Sequence, residues 1–407
     1  MSASRKYTIA GLSVLAFLVL FFAWQVFSQP NFSYEVPEYP TVGLVKKLTT
    51  PKAEHLSTPE PLKAIYMTSC VAGTPSLKAR VLKLVKDTEI NAIVVDLKDY
   101  TGALSFPAKD EKLKDYISSG CPIADLEAFV KELHQENIYI IGRVTVFQDP
   151  LFAKNNPSEA VKRASDPTVL WSDRKGIHYI DPGSKLAWDH IATIAEDAYA
   201  QGVDEINFDY IRFPSDGNMQ DISFPLSGNK SKPEVLEDFF AYLSRRLKPQ
   251  AMVISADVFG MTTTSFSDVG IGQIWERTIP YFDYVAPMVY PSHYYDGFAG
   301  LGDPNEHPYE VIHNALASAV VRTVATTTIV ATKDGQAIAS TSPQLYKKKA
   351  FASSKVRPWL QDFDYPVPYT ADMVRAQIKA TYDLGLTSWM MWDPSNHYTP
   401  AVYAPAS

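Results

Sequence analysis

Apolar residues are spread along this chain in three different ways. Arg5 and Lys6 are followed by no charged residue until Glu35, and nearly every position over 9–27 is apolar. At about 1.5 Å per residue, a helix of that length spans a roughly 30 Å hydrocarbon layer. The positive flank comes first, so residues 1–28 are predicted to form a cytoplasmic stub and a single-pass transmembrane anchor, with the body outside the membrane. A cleaved signal peptide is the rival reading, but its apolar core usually runs only about 7–15 residues. Residues 29–60 carry Pro30, Pro37, Pro40, Pro51 and Pro59 with few apolar clusters, which predicts an extended tether.

From 61 to 407 the pattern changes to short β-rich runs alternating with helical periodicity. The runs fall at 64–68, 92–97, 139–146, 205–213, 252–259, 284–290, 356–361 and 388–392. Amphipathic stretches separate several of them, at 76–85, 123–134, 184–201, 233–247 and 371–384. Such alternation predicts a parallel α/β architecture. Eight strands favour a closed (β/α)8 TIM barrel over an open doubly wound sheet, and no glycine-rich nucleotide turn follows the first strand. Long connectors are expected at 148–182, 214–232 and 292–355. In a barrel these emerge at the C-terminal face, where active sites are built. The Thr-, Ala- and Ser-rich stretch 323–342 is expected to hold an irregular β segment.

Strand alternation then assigns faces. In the run 203–214, Ile206, Phe208 and Tyr210 are predicted to face the helices, and Glu205, Asn207 and Asp209 to face the barrel interior. Such a polar row is costly unless its members are paired or used. Asp209 sits at the strand tip with Arg212 just beyond, placed to hold a carboxylate ionised or to fix a sugar hydroxyl. Asp257 ends the next strand. Neighbouring strands lie roughly 4.8 Å apart, so Asp209 and Asp257 are the candidate catalytic pair. Asp96 and Lys98 share a parity and are expected to pair at the rim, where the pair is a substrate-binding candidate as well as a structural one. Arg143, Tyr290, Trp359, Gln361, Trp392 and Asp393 occupy other tips and are further substrate-contact candidates, along with Asn207.

A net charge of −7 and the lack of a basic stripe argue against a nucleic-acid partner. Aromatic residues make up 12% of the chain, enough for ring platforms in a sugar cleft as well as for an aromatic core. Cys70 and Cys121 show no zinc spacing; they are equally compatible with one disulfide and with two free thiols. His293, His307 and His313 fall in one long connector without a strand-tip His-x-His, so neither a metal nor an organic cofactor is expected.

Several motifs together resemble a bacterial family of glycoside-hydrolase domains whose members mostly lack a known substrate. They are Val94-Val-Asp-Leu-Lys-Asp-Tyr-Thr-Gly102, Gly142-Arg-Val-Thr-Val-Phe-Gln-Asp149, Phe208-Asp-Tyr-Ile-Arg-Phe-Pro-Ser-Asp216, Ala286-Pro-Met-Val-Tyr-Pro291 and Trp392-Asp-Pro394. The chain is more distantly similar to family 18 chitinases and to barrel de-N-acetylases or hydrolases of bacterial exopolysaccharide. Met288-Val-Tyr290 and Trp392 match the chitinase substrate-binding Tyr and floor Trp. Asn207-Phe-Asp209-Tyr-Ile lacks the chitinase terminal Glu. The resemblance implies a barrel and a sugar-like ligand, and the expected activity is hydrolysis of an envelope or extracellular polysaccharide. Asp209 is the expected nucleophile or base and Asp257 the expected acid. A non-catalytic polysaccharide-binding barrel and a metal-dependent deacetylase are the alternatives.

Overall fold

The computed structural model describes residues 53–329 and 345–406, together with the pairs 332–333 and 336–337. The predicted anchor at 1–28 lies outside the described residues, and so does most of the predicted tether. Among the described residues no helix is long and apolar enough to cross a membrane.

Eight parallel strands close into a barrel in sequence order. They are β1 Lys63–Met67, β2 Ala92–Lys98, β3 Tyr139–Thr145, β4 Glu205–Asp209, β5 Val253–Phe259, β6 Tyr284–Met288, β7 Trp359–Gln361 and β8 Trp389–Trp392. The main helices around them are α1 Pro75–Asp87, α2 Leu126–Gln135, α3 Lys185–Ala200, α4 Lys232–Leu247, α5 Pro308–Val324 and α6 Ala371–Asp383. Local chemistry starts these helices where the sequence supplies it. Asp125 accepts the Ala128 N–H ahead of α2, and Ser231 with Glu234 forms a capping box on α4.

Strand alternation divides the core into two layers. Outward-facing Val144, Ile206, Phe208 and Ile254 are buried against the helices. Inward-facing Ala64, Val94, Tyr139, Ile141, Trp359 and Met390 fill the barrel. The floor of the barrel also holds a fully buried ion pair between Glu205 and Arg357. Residues 55–62, assigned mostly to the tether from sequence, lie across the N-terminal mouth. The Leu56 N–H donates to Asp204 Oδ1 at 2.7 Å, the Thr58 and Tyr139 hydroxyls bond at 3.0 Å, and His55 stacks on Tyr199 at 3.9 Å.

Three boundaries depart from the sequence reading. β4 stops at Asp209 rather than at 213, because Tyr210 takes a left-handed φ of 52° and turns the chain. Tyr210 therefore leaves the helix-facing row expected of it. β7 begins at Trp359, just after Pro358, which has no N–H to offer a ladder. The connector 292–355 contains the 17-residue α5, which buries Val311, Ile312, Ala315, Leu316 and Ala319 along one face. Beyond it, Thr327–Ile329, inside the stretch expected to hold irregular β, pairs antiparallel with Leu345–Lys347, which lies just past that stretch. Cys70 and Cys121 form a disulfide with a Cα–Cα distance of 4.7 Å, joining the turn after β1 to the loop leading into α2.

Candidate active site

Register decides which side chains meet at the C-terminal rim. Phe208 pairs with Ala256, so Asp209 and Asp257 stand on the next rung, side by side at the tips of β4 and β5. Arg143 of β3 reaches both acidic neighbours. Its Nε donates to Asp209 Oδ2 at 3.0 Å, with Nη2 on the same oxygen, and its Nη1 donates to Asp96 Oδ1 at 2.7 Å. Asp209 Oδ1 accepts the Tyr210 N–H at 2.6 Å.

Asp257 has a different environment. Its Oδ1 accepts from Asn207 Nδ2 at 2.9 Å and from Trp359 Nε1 at 2.8 Å. It has no guanidinium of its own and is 2% exposed. Burial, reinforced by the negative charge of Asp209, pushes the Asp257 carboxyl up to about 8. Burial likewise raises the Tyr290 hydroxyl, which therefore stays neutral, and lowers the His293 imidazole.

Above the pair opens a cavity of about 370 Å³. Tyr290, Trp359 and Trp392 supply aromatic wall, and Trp392 is backed by Tyr66 at 4.0 Å between ring centroids. A concave, mostly apolar site with a few convergent polar groups is the usual form of a small-ligand or sugar subsite. Two unequal carboxyls at its base suit acid–base chemistry. Residues 64–398 match the family described as "Putative glycosyl hydrolase domain".

The chain belongs to this family.

No curated protein matches the glycosyl hydrolase domain chain. Among solved structures, a hypothetical protein from Ruminiclostridium thermocellum is 33% identical over 48% of this chain and 97% of its own, with a TM-score of 0.43. The PgaB (BpsB) glycoside hydrolase domain from Bordetella bronchiseptica is 14% identical over 85% of this chain and 100% of its own, at a TM-score of 0.57. An α-galactosidase from Thermus thermophilus is 10% identical over 86% of this chain and 61% of its own, at 0.50. These last two likenesses concern the fold.

The rim of the glycosyl hydrolase domain gathers Arg143, Asp209, Arg212, Asp257, Tyr290, Trp359 and Trp392 around the cavity. The other candidates sit behind its wall. Asn207 lies beneath Asp257 and orients it, and Asp96 braces Arg143 from the far side with the Tyr66 hydroxyl on its other oxygen. Gln361 donates to the carbonyls of Phe363 and Tyr365, and Asp393 accepts the N–H groups of Ser395 and His397. Both therefore pin loops.

Two expected pairings are corrected. Asp96 and Lys98 do not pair, because the β2–β3 register shifts between them. Lys98 is fully buried against Asp149 at 2.8 Å and the Thr145 carbonyl at 2.6 Å, away from the cavity. Arg212 does not hold Asp209, which is bonded instead to Arg143. Sequence reasoning also missed cavity residues. Tyr210 is carried in by its turn, while Phe259, Gln273, His293 and Tyr294 also line the wall. Tyr66, the last residue but one of β1, obeys the same tip rule as the others; the loop residues carry no periodic signal. Among the described residues no three His, Cys, Asp or Glu side chains gather as a metal cage.

Proposed function

We propose that this domain hydrolyses glycosidic bonds of a polysaccharide through the Asp209–Asp257 pair, without a metal. The observation that carries this is the unequal state of two adjacent carboxyls: Asp257 is pushed up to about 8, whereas the charge of Asp209 is met by Arg143. Two N–H donors occupy Oδ1 of Asp257, so its proton resides on Oδ2. From there it passes to the glycosidic oxygen as the bond to the anomeric carbon breaks. Asp209 either attacks that carbon or takes a proton from a water that does. Tips on adjacent strands suit the separation of about 5–5.5 Å found in retaining enzymes, and the anomer released reports which route is followed. Trp392 and Tyr290 would offer ring faces to the sugar.

The experiment is turnover across a polysaccharide panel with purified protein. Asp209→Asn and Asp257→Asn are each expected to lose on the order of 10²–10⁴-fold activity while still folding. Full activity in Asp209→Asn would remove the assignment. Tight binding of a glycan that the wild type never cleaves would establish a binding barrel instead.

The body is further proposed to lie outside the membrane, held by residues 1–28. The Cys70–Cys121 disulfide supports this, since such bonds persist in oxidising compartments. Protease added to intact cells is expected to remove the body. Complete protection would count against this placement.

A further inference from the structure

Arg212 brings to the cavity wall a positive charge that no carboxylate among the described residues answers. It is 9% exposed, and its Nη1 donates to the Phe213 carbonyl and to Ser215 Oγ, both at 3.1 Å. The rings of Phe259 at 4.7 Å and Tyr210 at 5.2 Å flank the guanidinium and hold its plane. These contacts use one nitrogen and the faces. The edge made by Nε and Nη2 remains, and that edge has the spacing of a carboxylate.

The other charged groups of the cavity are engaged elsewhere: Arg143 serves both Asp209 and Asp96, and no carboxylate among the described residues lies within ion-pair distance of Arg212. The Asp209 carboxylate is met by Arg143. Asp257 keeps its proton at neutral pH, and burial holds His293 neutral. Arg212 lines the cavity, so a carboxylate on a ligand entering it would supply the counter-charge that the protein does not.

We propose that the Arg212 side of the cavity binds the carboxylate of an acidic sugar, which makes the substrate class a carboxylated glycan. This rests on the glycosidase reading only in taking the cavity as a sugar site. The chain as a whole carries −7, so recognition is by one local fork and not by broad attraction of a polyanion.

The test is calorimetric titration of the full chain. One arm uses oligouronates, with the carboxylate on the ring, and the other uses muramic acid oligosaccharides, with the carboxylate on a lactyl ether. Each is compared with its carboxyl-reduced, neutral counterpart. At least one acidic glycan is expected to bind about tenfold or more tightly than its neutral form, as for a hydrogen-bonded charged pair. Arg212→Gln is expected to erase that difference while binding of the neutral form persists, which shows an intact cavity. Should that variant fail to fold, the wild-type comparison decides. Neutral forms binding as well as acidic ones, no acidic glycan binding at all, or a preference that survives Arg212→Gln would each overturn the proposal. Turnover of a neutral glycan that depends on Asp209 would keep the catalytic pair and remove the acidic substrate. Acid-selective binding with no turnover would do the reverse.

Discussion

Asp257 can serve as an acid at neutral pH only because water and counter-charge are both kept from it. Its proton is available below about 8, so turnover is expected to fall as pH rises through that value. A pH–rate profile that stays flat to pH 10 would deny Asp257 the acid role. The same shift acts on stability. Unfolded, the carboxyl ionises near 3.8; folded, it holds its proton to about 8. Between those values the folded state binds more protons, so its contribution is full below pH 4 and is lost as pH rises through 8, at about 1.4 kcal/mol per unit. Asp257→Asn removes that penalty and keeps an oxygen for Asn207 and Trp359. At pH 8 it is expected to melt higher than wild type, by an amount corresponding to a few kcal/mol, while being inactive. The acidic tips themselves were legible in the sequence, since alternation and strand ends suffice to find Asp209 and Asp257. Their partners were not. Arg143 reaches Asp209 across strands, and the shift between Asp96 and Lys98 breaks the two-residue period on which their pairing was predicted.

At the scale of elements, the rim is built by close approaches that tolerate no added atoms. A Cβ on Gly260, just past β5, would lie 2.4 Å from the Tyr294 hydroxyl and 2.5 Å from the Met288 carbonyl. Gly260→Ala is expected to cost about 1–3 kcal/mol and to distort the cavity wall. Denaturant melts and glycan affinity together check this, and wild-type values for both would show that the rim can yield. The Cys70–Cys121 bridge ties two rim segments 51 residues apart in sequence. Chain entropy gives such a loop up to about 4 kcal/mol, so reduction is expected to lower the melting temperature by as much as several degrees. All eight strands could be read from runs of β-branched and apolar residues, yet α5 could not. Its Ala-containing interior ends in Val320, Val321, Thr323 and Val324, a composition that favours strand locally, and packing of one face overrides it.

Across the whole molecule, one interior contact spans the barrel. Arg357 of the segment leading into β7 meets Glu205 of β4 with both side chains fully buried, and the guanidinium lies 4.1 Å from the Tyr284 ring. Removing one partner strands the other charge. Glu205→Gln is expected to cost about 3–5 kcal/mol in chemical denaturation, more than a joint replacement of both residues by apolar ones. Equal losses in the single and joint variants would mean the charges are not coupled. At the opposite end from the cavity, the lead-in segment from Leu56 to Leu62 stops the lower opening through Asp204, Tyr139 and Ser388. Ala53 and Glu54 emerge there, beside the ends of α2 and α3. The chain thus enters the domain at its base, on the face opposite the cavity. Under the proposed anchoring, the cavity would open away from the lipid, toward polymers that lie farther out.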